Sequence, residues 1–365
     1  MQDEQHMRAA LALARRHVGE TWPNPSVGCV IVKDGRVVGR ATTAPSGRPH
    51  AEPQALAMAG EQARGATAYV TLEPCCFHGR TPPCTEALIA AGIARVVIGA
   101  RDPDPRVNGA GLERLREAGI EVVLGVLAGE AEAVAAGLYT RIRLGRPYVT
   151  LKLASTLDGR IATHAGESQW ITGADARRAA HALRGRNDAV LVGIGTARAD
   201  NPALTCRIPG FKATPSVRVV ADSHLRLSLT SELVASAHDA PTWILTRADA
   251  DAARAEALRQ AGVTLLPVAA ATPGIDLVEG LQTLAEQGIT RLLVEGGAGI
   301  AAALLHADLV DAVAWFHAPA VMGGDGLPAA ASFGTAHLAD LRRFRRTAMR
   351  PVGEDMFSEY VRRAA

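Results

Sequence analysis

The stretch Thr71-Leu72-Glu73-Pro74-Cys75-Cys76-Phe77-His78-Gly79-Arg80-Thr81-Pro82-Pro83-Cys84, with His50-Ala51-Glu52 upstream of it, decides how the first half of this chain is read. His50, Cys75 and Cys84 offer one imidazole and two thiolates, a normal zinc ligand set, and three protein ligands leave one position open for water. A zinc ion brings the pKa of such a water toward neutrality. Glu52 falls two residues after His50, in a predicted helix over 51–63, where a carboxylate can face that water without ligating the metal. A group so placed can take the water's proton and deliver it to a ring and a leaving amine.

Zinc nucleobase deaminases use this arrangement, with the Glu as acid/base and not as ligand. Their common signature has two residues between the cysteines. Here residues 76–83 intervene, which is not the nucleic-acid-editing form. Two other readings stay open at this level: a closed zinc knuckle, and a chance grouping of buried cysteines with a surface histidine. The knuckle wants a fourth ligand and leaves Glu52 unexplained. Cys76 directly follows Cys75 and is read as wall, because neighbouring residues rarely ligate one ion well. Cys29 lies in an apolar run and is read as core. His78 is either a substrate contact or a loop residue.

Outward from this stretch, helical spacing of Met7, Leu11, Ala14 and Val18 predicts an opening helix. Strands are predicted at 27–32, 68–72, 95–98 and 120–124, with a hairpin turn at Asp34-Gly35 and a return strand from Val37. Helices are predicted at 86–91 and 112–118, and a helix-like run at 130–142. A boundary near Leu144-Gly145-Arg146-Pro147 divides the 365 residues into domains 1–145 and 146–365. Beyond it, strands are expected at 148–153, 189–192, 217–221, 242–245, 292–295 and 310–316. Helices are expected at 175–183, 249–260, 277–286 and 300–305. This alternation is an α/β layer pattern.

Basic and acidic residues number 39 and 37, which gives no broad basic field and counts against nucleic-acid or membrane-surface binding. The N-terminus lacks a signal-like apolar segment, no run is long enough to span a membrane, and an odd count of five cysteines, three of them within ten positions, does not read as a disulfide framework. A cytoplasmic location is the expectation. In the second half, Glu295-Gly296-Gly297-Ala298-Gly299 follows a strand and precedes a helix, where backbone N–H groups can approach a phosphate. Such a cluster is equally compatible with a mere tight turn, and it falls too late in the domain for a standard Rossmann fingerprint. Only Lys33, Lys152 and Lys212 are lysines in an arginine-rich chain, so Lys152, flanked by Leu151 and Leu153, points to a need for an ammonium. A solvent-facing lysine is the alternative.

The quoted stretch resembles the bifunctional riboflavin-biosynthesis deaminase/reductase family. So do residues 21–28, Leu151-Lys152-Leu153-Ala154-Ser155-Thr156-Leu157-Asp158-Gly159-Arg160, residues 166–172, Asp200-Asn201-Pro202 and Val294-Glu295-Gly296-Gly297. The resemblance spans almost the whole chain, and the long gap between cysteines is typical of it. It implies a cytidine-deaminase-like domain that removes the 2-amino group of 2,5-diamino-6-ribosylamino-4(3H)-pyrimidinone 5′-phosphate. A dihydrofolate-reductase-like domain then reduces the ribosyl chain with NADPH. Zinc would be held by His50, Cys75 and Cys84, with Glu52 as proton shuttle. Asn24 would bind the pyrimidine and Arg80 the phosphate. Ala154, Trp170, Thr196, Asp200, Ser223, Gly297, Ala298 and Gly299 match cofactor contacts; Ser168, Arg184, Leu204, Arg207 and Glu295 match substrate contacts. Lys152 is carried as a catalytic candidate. From sequence alone, Arg184 and Arg207 are also compatible with exposed arginines and Trp170 with core. One departure stands out: Phe77 occupies a position that is usually His in the family. The resemblance implies a homo-oligomer acting on a small phosphorylated pyrimidine. A deaminase carrying a degenerate second domain is the alternative function.

Overall fold

Met7, Ala10, Leu11 and Ala14 form the buried face of α1 (Gln2–Arg16), which ends before Val18. The helix has Asp3 and Glu4 in its first turn and Arg15 and Arg16 in its last, matching the helix dipole. Asp3 also receives two bonds of 2.9 Å from Arg95 and one from the Tyr69 hydroxyl, so α1 is pinned across the sheet. The computed structural model describes residues 2–272 and 274–363, in two units, Met1–Gly145 and Arg146–Ala365.

The first unit continues with β1 (Gly28–Lys33), β2 (Arg36–Thr42), α2 (Ala51–Ala59), β3 (Thr67–Leu72), α3 (Cys84–Ala90), β4 (Arg95–Ala100), α4 (Ala110–Glu117), β5 (Glu121–Leu124), α5 (Ala128–Val134) and α6 (Ala136–Leu144). Its sheet order is β2-β1-β3-β4-β5, antiparallel on the β1 side and parallel from β3 onward. The helix predicted over 51–63 ends at Ala59 and tightens into a 3₁₀ turn at Gly60–Ala63. The run at 130–142 is two helices meeting at Ala135. At Gly28, an added Cβ would come within 1.9 Å of the Ala10 carbonyl oxygen, so α1 lies against β1 at a distance only glycine allows.

The second unit comprises β6 (Tyr148–Ser155), β7 (Arg160–Ala162), α7 (Ala174–Gly185), β8 (Ala189–Gly193), α8 (Ile194–Asp200), β9 (Val217–Ala221), α9 (Glu232–Ala235), β10 (Thr242–Arg247), α10 (Ala252–Gln260), β11 (Thr264–Val268), α11 (Leu277–Glu286), β12 (Arg291–Val294), α12 (Ala298–His306), β13 (Ala312–His317), β14 (Leu327–Pro328), β15 (Phe344–Val352) and β16 (Asp355–Arg362). Nine strands run in the order β11-β10-β9-β8-β12-β6-β13-β16-β15, with only the last two pairings antiparallel. The central strands β8, β9 and β12 are buried nearly throughout, as a parallel sheet covered on both faces requires.

Buried polar anchors fix this sheet. Asp188 accepts from the Thr290 backbone and hydroxyl and from the Arg291 backbone. Arg146 forks onto Asp311 at 2.6 and 2.8 Å. The fully buried Arg218 donates to the carbonyls of Leu233, Ser236 and Ala240 and to the hydroxyls of Ser236 and Thr242.

Candidate active sites

In the first unit, α2 and α3 bring the metal-ligand candidates together by their N-terminal ends. His50 is the N-cap of α2, Glu52 lies in its first turn, and Cys84 opens α3. Cys75 sits on the segment leaving β3. The donor atoms of His50, Cys75 and Cys84 all lie within 4.8 Å of one another. His50 Nδ1 is 3.3 Å from Cys84 Sγ and 3.7 Å from Cys75 Sγ. Zinc with ordinary Zn–N and Zn–S bonds in a tetrahedral site sets nitrogen and sulfur about 3.5 Å apart, so the three residues fit that ion. Cys76 turns away and donates to the Arg106 carbonyl at 3.5 Å. Cys29 is fully buried in the core.

Charge in this cluster is strongly coupled. The Cys84 thiol donates to Cys75 and draws the Cys75 thiol down to about 4, with His50 adding to the effect, while giving that bond raises Cys84. The bond to Cys75 raises His50. Glu52 is buried, and burial pushes its carboxyl up, reinforced by the Cys75 thiolate. A carboxyl raised in this way is suited to passing a proton near neutral pH.

A cavity of about 290 Å³ opens onto the cluster, and Asn24, His50, Glu52, Cys75 and Phe77 line it. Asn24 is fixed by donating to the Gly47 carbonyl at 2.9 Å. Arg80 is exposed and lies outside this lining, between the lining residues Gly79 and Thr81. His78 is also outside it, exposed and 3.6 Å from Glu86, as a loop residue would be.

Sequence reading missed Arg48, Asp102, Asp104, Arg106 and Arg141, which also line the cavity. The charged, proline-spaced run Arg101-Asp102-Pro103-Asp104-Pro105-Arg106 just past β4 was the available signal. Burial raises Asp102 to about 6. Glu73, also in the wall, is spent on the backbone N–H groups of Asp102, Gly109, Gly111 and Leu112, which shapes the turn into α4.

In the second unit, a cavity of about 520 Å³ lies at the carboxyl ends of the parallel strands, where open α/β sheets bind ligands. Lys152, Ala154, Ser168, Arg184, Thr196, Asp200, Leu204, Glu295, Gly297, Ala298 and Gly299 all line it. The Thr196 hydroxyl accepts from the Gly297 N–H at 3.0 Å, joining α8 to the start of α12. Lys152 therefore faces a cavity and not bulk solvent. Burial lowers its pKa and Glu295 opposes the shift. Burial raises Asp200, and Lys152 restrains it.

Arg184 is not an exposed arginine. It is mostly buried and forks onto Glu295 at 2.6 and 2.9 Å. Burial works against both charges, and each restores the other: Arg184 is raised and Glu295 lowered. Three expected contacts lie outside the cavity lining: Ser223 just past β9, the exposed Arg207 beside His181, and Trp170. Trp170 is 68% exposed, not core, with the Arg177 guanidinium 4.5 Å from its ring.

Fold and site together define a zinc-type deaminase joined in one chain to a dihydrofolate-reductase-like reductase. Residues 1–100 match the cytidine and deoxycytidylate deaminase zinc-binding region, and residues 147–357 match the RibD C-terminal domain. Riboflavin biosynthesis protein RibD of Escherichia coli is 44% identical, with 98% of each chain covered. That of Aquifex aeolicus is 42% identical, with 97% of each covered. Among solved structures, RibD of Acinetobacter baumannii matches with a TM-score of 0.89 at 37% identity, covering 100% of this chain and 99% of that one. A diaminohydroxyphosphoribosylaminopyrimidine deaminase/5-amino-6-(5-phosphoribosylamino)uracil reductase of Thermotoga maritima matches with a TM-score of 0.85 at 35% identity, covering 99% of each.

The chain belongs to the RibD family of bifunctional riboflavin-biosynthesis enzymes. It is a deaminase and a reductase, with a zinc-binding first domain, an NADPH-dependent second domain and a small phosphorylated pyrimidine as substrate. Both domains are present, so nothing supports the single-function alternative. No helix among the described residues is long and apolar enough to cross a membrane.

Proposed function

We propose that residues 1–145 convert 2,5-diamino-6-ribosylamino-4(3H)-pyrimidinone 5′-phosphate to its 2-oxo product with release of ammonia. Residues 146–365 then reduce the ribosyl chain to ribityl. The observation that carries the first step is the convergence of His50, Cys75 and Cys84 beside the buried Glu52. Zinc held by these three supplies Lewis acidity and a water acidic enough to ionise near neutral pH. Glu52 takes the proton of the attacking water to the ring nitrogen and then carries the proton of the newly added hydroxyl to the departing amine, which leaves as ammonia as the carbonyl forms, a task its raised pKa fits. Asn24, fixed on Gly47, orients the ring, and Arg80 reaches the phosphate from the rim loop.

In the second step, Gly297, Ala298 and Gly299 at the start of α12 form the cofactor-phosphate site, with Ala298 and Gly299 offering backbone N–H groups while the Gly297 N–H ties the turn to Thr196. Ala154, Thr196 and Asp200 complete the cofactor wall. Trp170 and Ser223 bind the cofactor from outside the cavity lining. The Arg184–Glu295 pair, with Ser168, Leu204 and Arg207, holds the substrate. Lys152 gives a proton as hydride reaches the sugar carbon, a role that its lowered pKa and its place beside Asp200 and Glu295 support. The enzyme works as a homo-oligomer, as the family resemblance implies. It works in the cytoplasm, where its five unpaired cysteines stay reduced.

The test supplies the zinc-loaded protein with the diaminopyrimidine ribosyl phosphate and follows ammonia release and NADPH oxidation. Both should occur, and chelation should stop the first while the second continues on the deaminated intermediate. Ammonia without NADPH oxidation overturns the reductase assignment; neither, with zinc bound, overturns the substrate.

A further inference from the structure

We propose that Phe77 is the face on which the pyrimidine ring stacks during deamination, and that Arg106 and Asp104 position it. This rests on the deaminase reading above. The part of the substrate that reacts is flat, and a flat ring is held best between a polar edge and an apolar plane. Asn24 and Glu52 supply polar edges to the cavity. Among the described residues that line it, Phe77 is the one aromatic hydrocarbon ring; the rest of the lining is charged, polar, aliphatic or the ligand imidazole of His50.

One face of the ring is braced by Arg106, which also lines the cavity. The Arg106 guanidinium lies 4.3 Å from the Phe77 centroid, within cation–π range. That guanidinium is itself locked: Nη2 is 2.6 Å from Asp104 Oδ2, and Nε is 3.0 Å from Asp104 Oδ1. The Asp104 carboxylate also accepts from the Arg106 backbone N–H at 3.0 Å. Cys76, next to Phe77, donates to the Arg106 carbonyl. The loop that carries Phe77 and the loop that carries Arg106 are thus tied at backbone and side chain. The fork of Arg106 is occupied by Asp104 and its face by Phe77, so its task here is to brace a ring.

The side chain of residue 77 selects for a flat, apolar-faced ring and contributes affinity, not proton transfer. Phe77→Ala should raise KM for ammonia release about tenfold, the order of one ring–aromatic stack, and change kcat less than threefold at full zinc content. Phe77→Tyr should restore KM. Phe77→Leu, which keeps apolar volume without a planar face, should behave like Phe77→Ala. Arg106→Met should raise KM severalfold by unbracing the ring.

Binding of the same substrate to Glu52→Gln, measured by calorimetry with and without Phe77→Ala, reads the contact without turnover and should weaken about tenfold. Wild-type KM in Phe77→Ala, or in Phe77→Leu, overturns the stacking role, as does unchanged calorimetric affinity. If the wild type releases no ammonia, the deaminase reading fails, while the calorimetric pair still decides the role of Phe77.

Discussion

In the first unit, the candidate ligands and proton carrier fall between His50 and Cys84, and all of them act through side chains. In the second, the cavity draws on residues from Lys152 to Leu327, and the floor proposed for phosphates is the backbone of Gly297, Ala298 and Gly299. The two sites therefore fail in opposite ways. One is broken by taking atoms away from a side chain, the other by adding atoms to a backbone that must stay bare.

The largest expected effect comes from the first kind of change. Glu52→Gln keeps the shape and the metal ligands but cannot carry the proton, so ammonia release should fall about 10³-fold. Zinc content by atomic absorption and NADPH turnover of the deaminated intermediate should stay at wild-type levels. A variant that deaminates within tenfold of wild type would erase the contrast.

Next is a change of the second kind. An added Cβ at Gly299 meets nothing within 4 Å, so the fold accepts a side chain there. A carboxylate at that point repels the cofactor phosphates, and Gly299→Asp should raise KM for NADPH about 10- to 100-fold without altering deamination. Steady-state kinetics on both half-reactions decide it; equal losses in both would mean that the backbone is not the cradle.

The smallest effect tests the scaffold. Arg218→Met takes the guanidinium donor from the Ala240 carbonyl and one of several donors from the Leu233 and Ser236 carbonyls, at a cost of about 2 kcal/mol. Reductase activity should be lost several degrees earlier on heating, with heat inactivation of the deaminase unmoved.

The same contrast explains what could be read from the sequence. His50, Glu52, Cys75 and Cys84 were legible because zinc chemistry demands particular side chains at constrained spacing. The buried strands at 68–72, 189–192 and 217–221 were legible as apolar runs. Hidden were β11, an edge strand interrupted by Pro267 with Thr264 and Pro267 exposed, and the β15–β16 hairpin. Arginines and an exposed face erase the apolar alternation of β15, and an edge strand is free to be polar. Asp102, Asp104 and Arg106 were missed because they follow a strand in a segment with no metal-ligand or glycine signature. The pairing of Arg184 with Glu295 joins residues far apart in sequence, and only the β12–α7 geometry reveals that their charges answer each other.

One consequence follows from the scarcity of lysine. Lys33 is tied to the Arg64 carbonyl and Lys212 to Asn187 and Ser216, while Lys152 faces the reductase cavity with its proton loosened by burial. An acylating reagent that enters the cavity would meet Lys152 there, while the other two lysines are engaged elsewhere. The mass of a single peptide would then report cavity occupancy, and protection by NADPH would turn Lys152 into a built-in gauge of cofactor binding that needs no turnover.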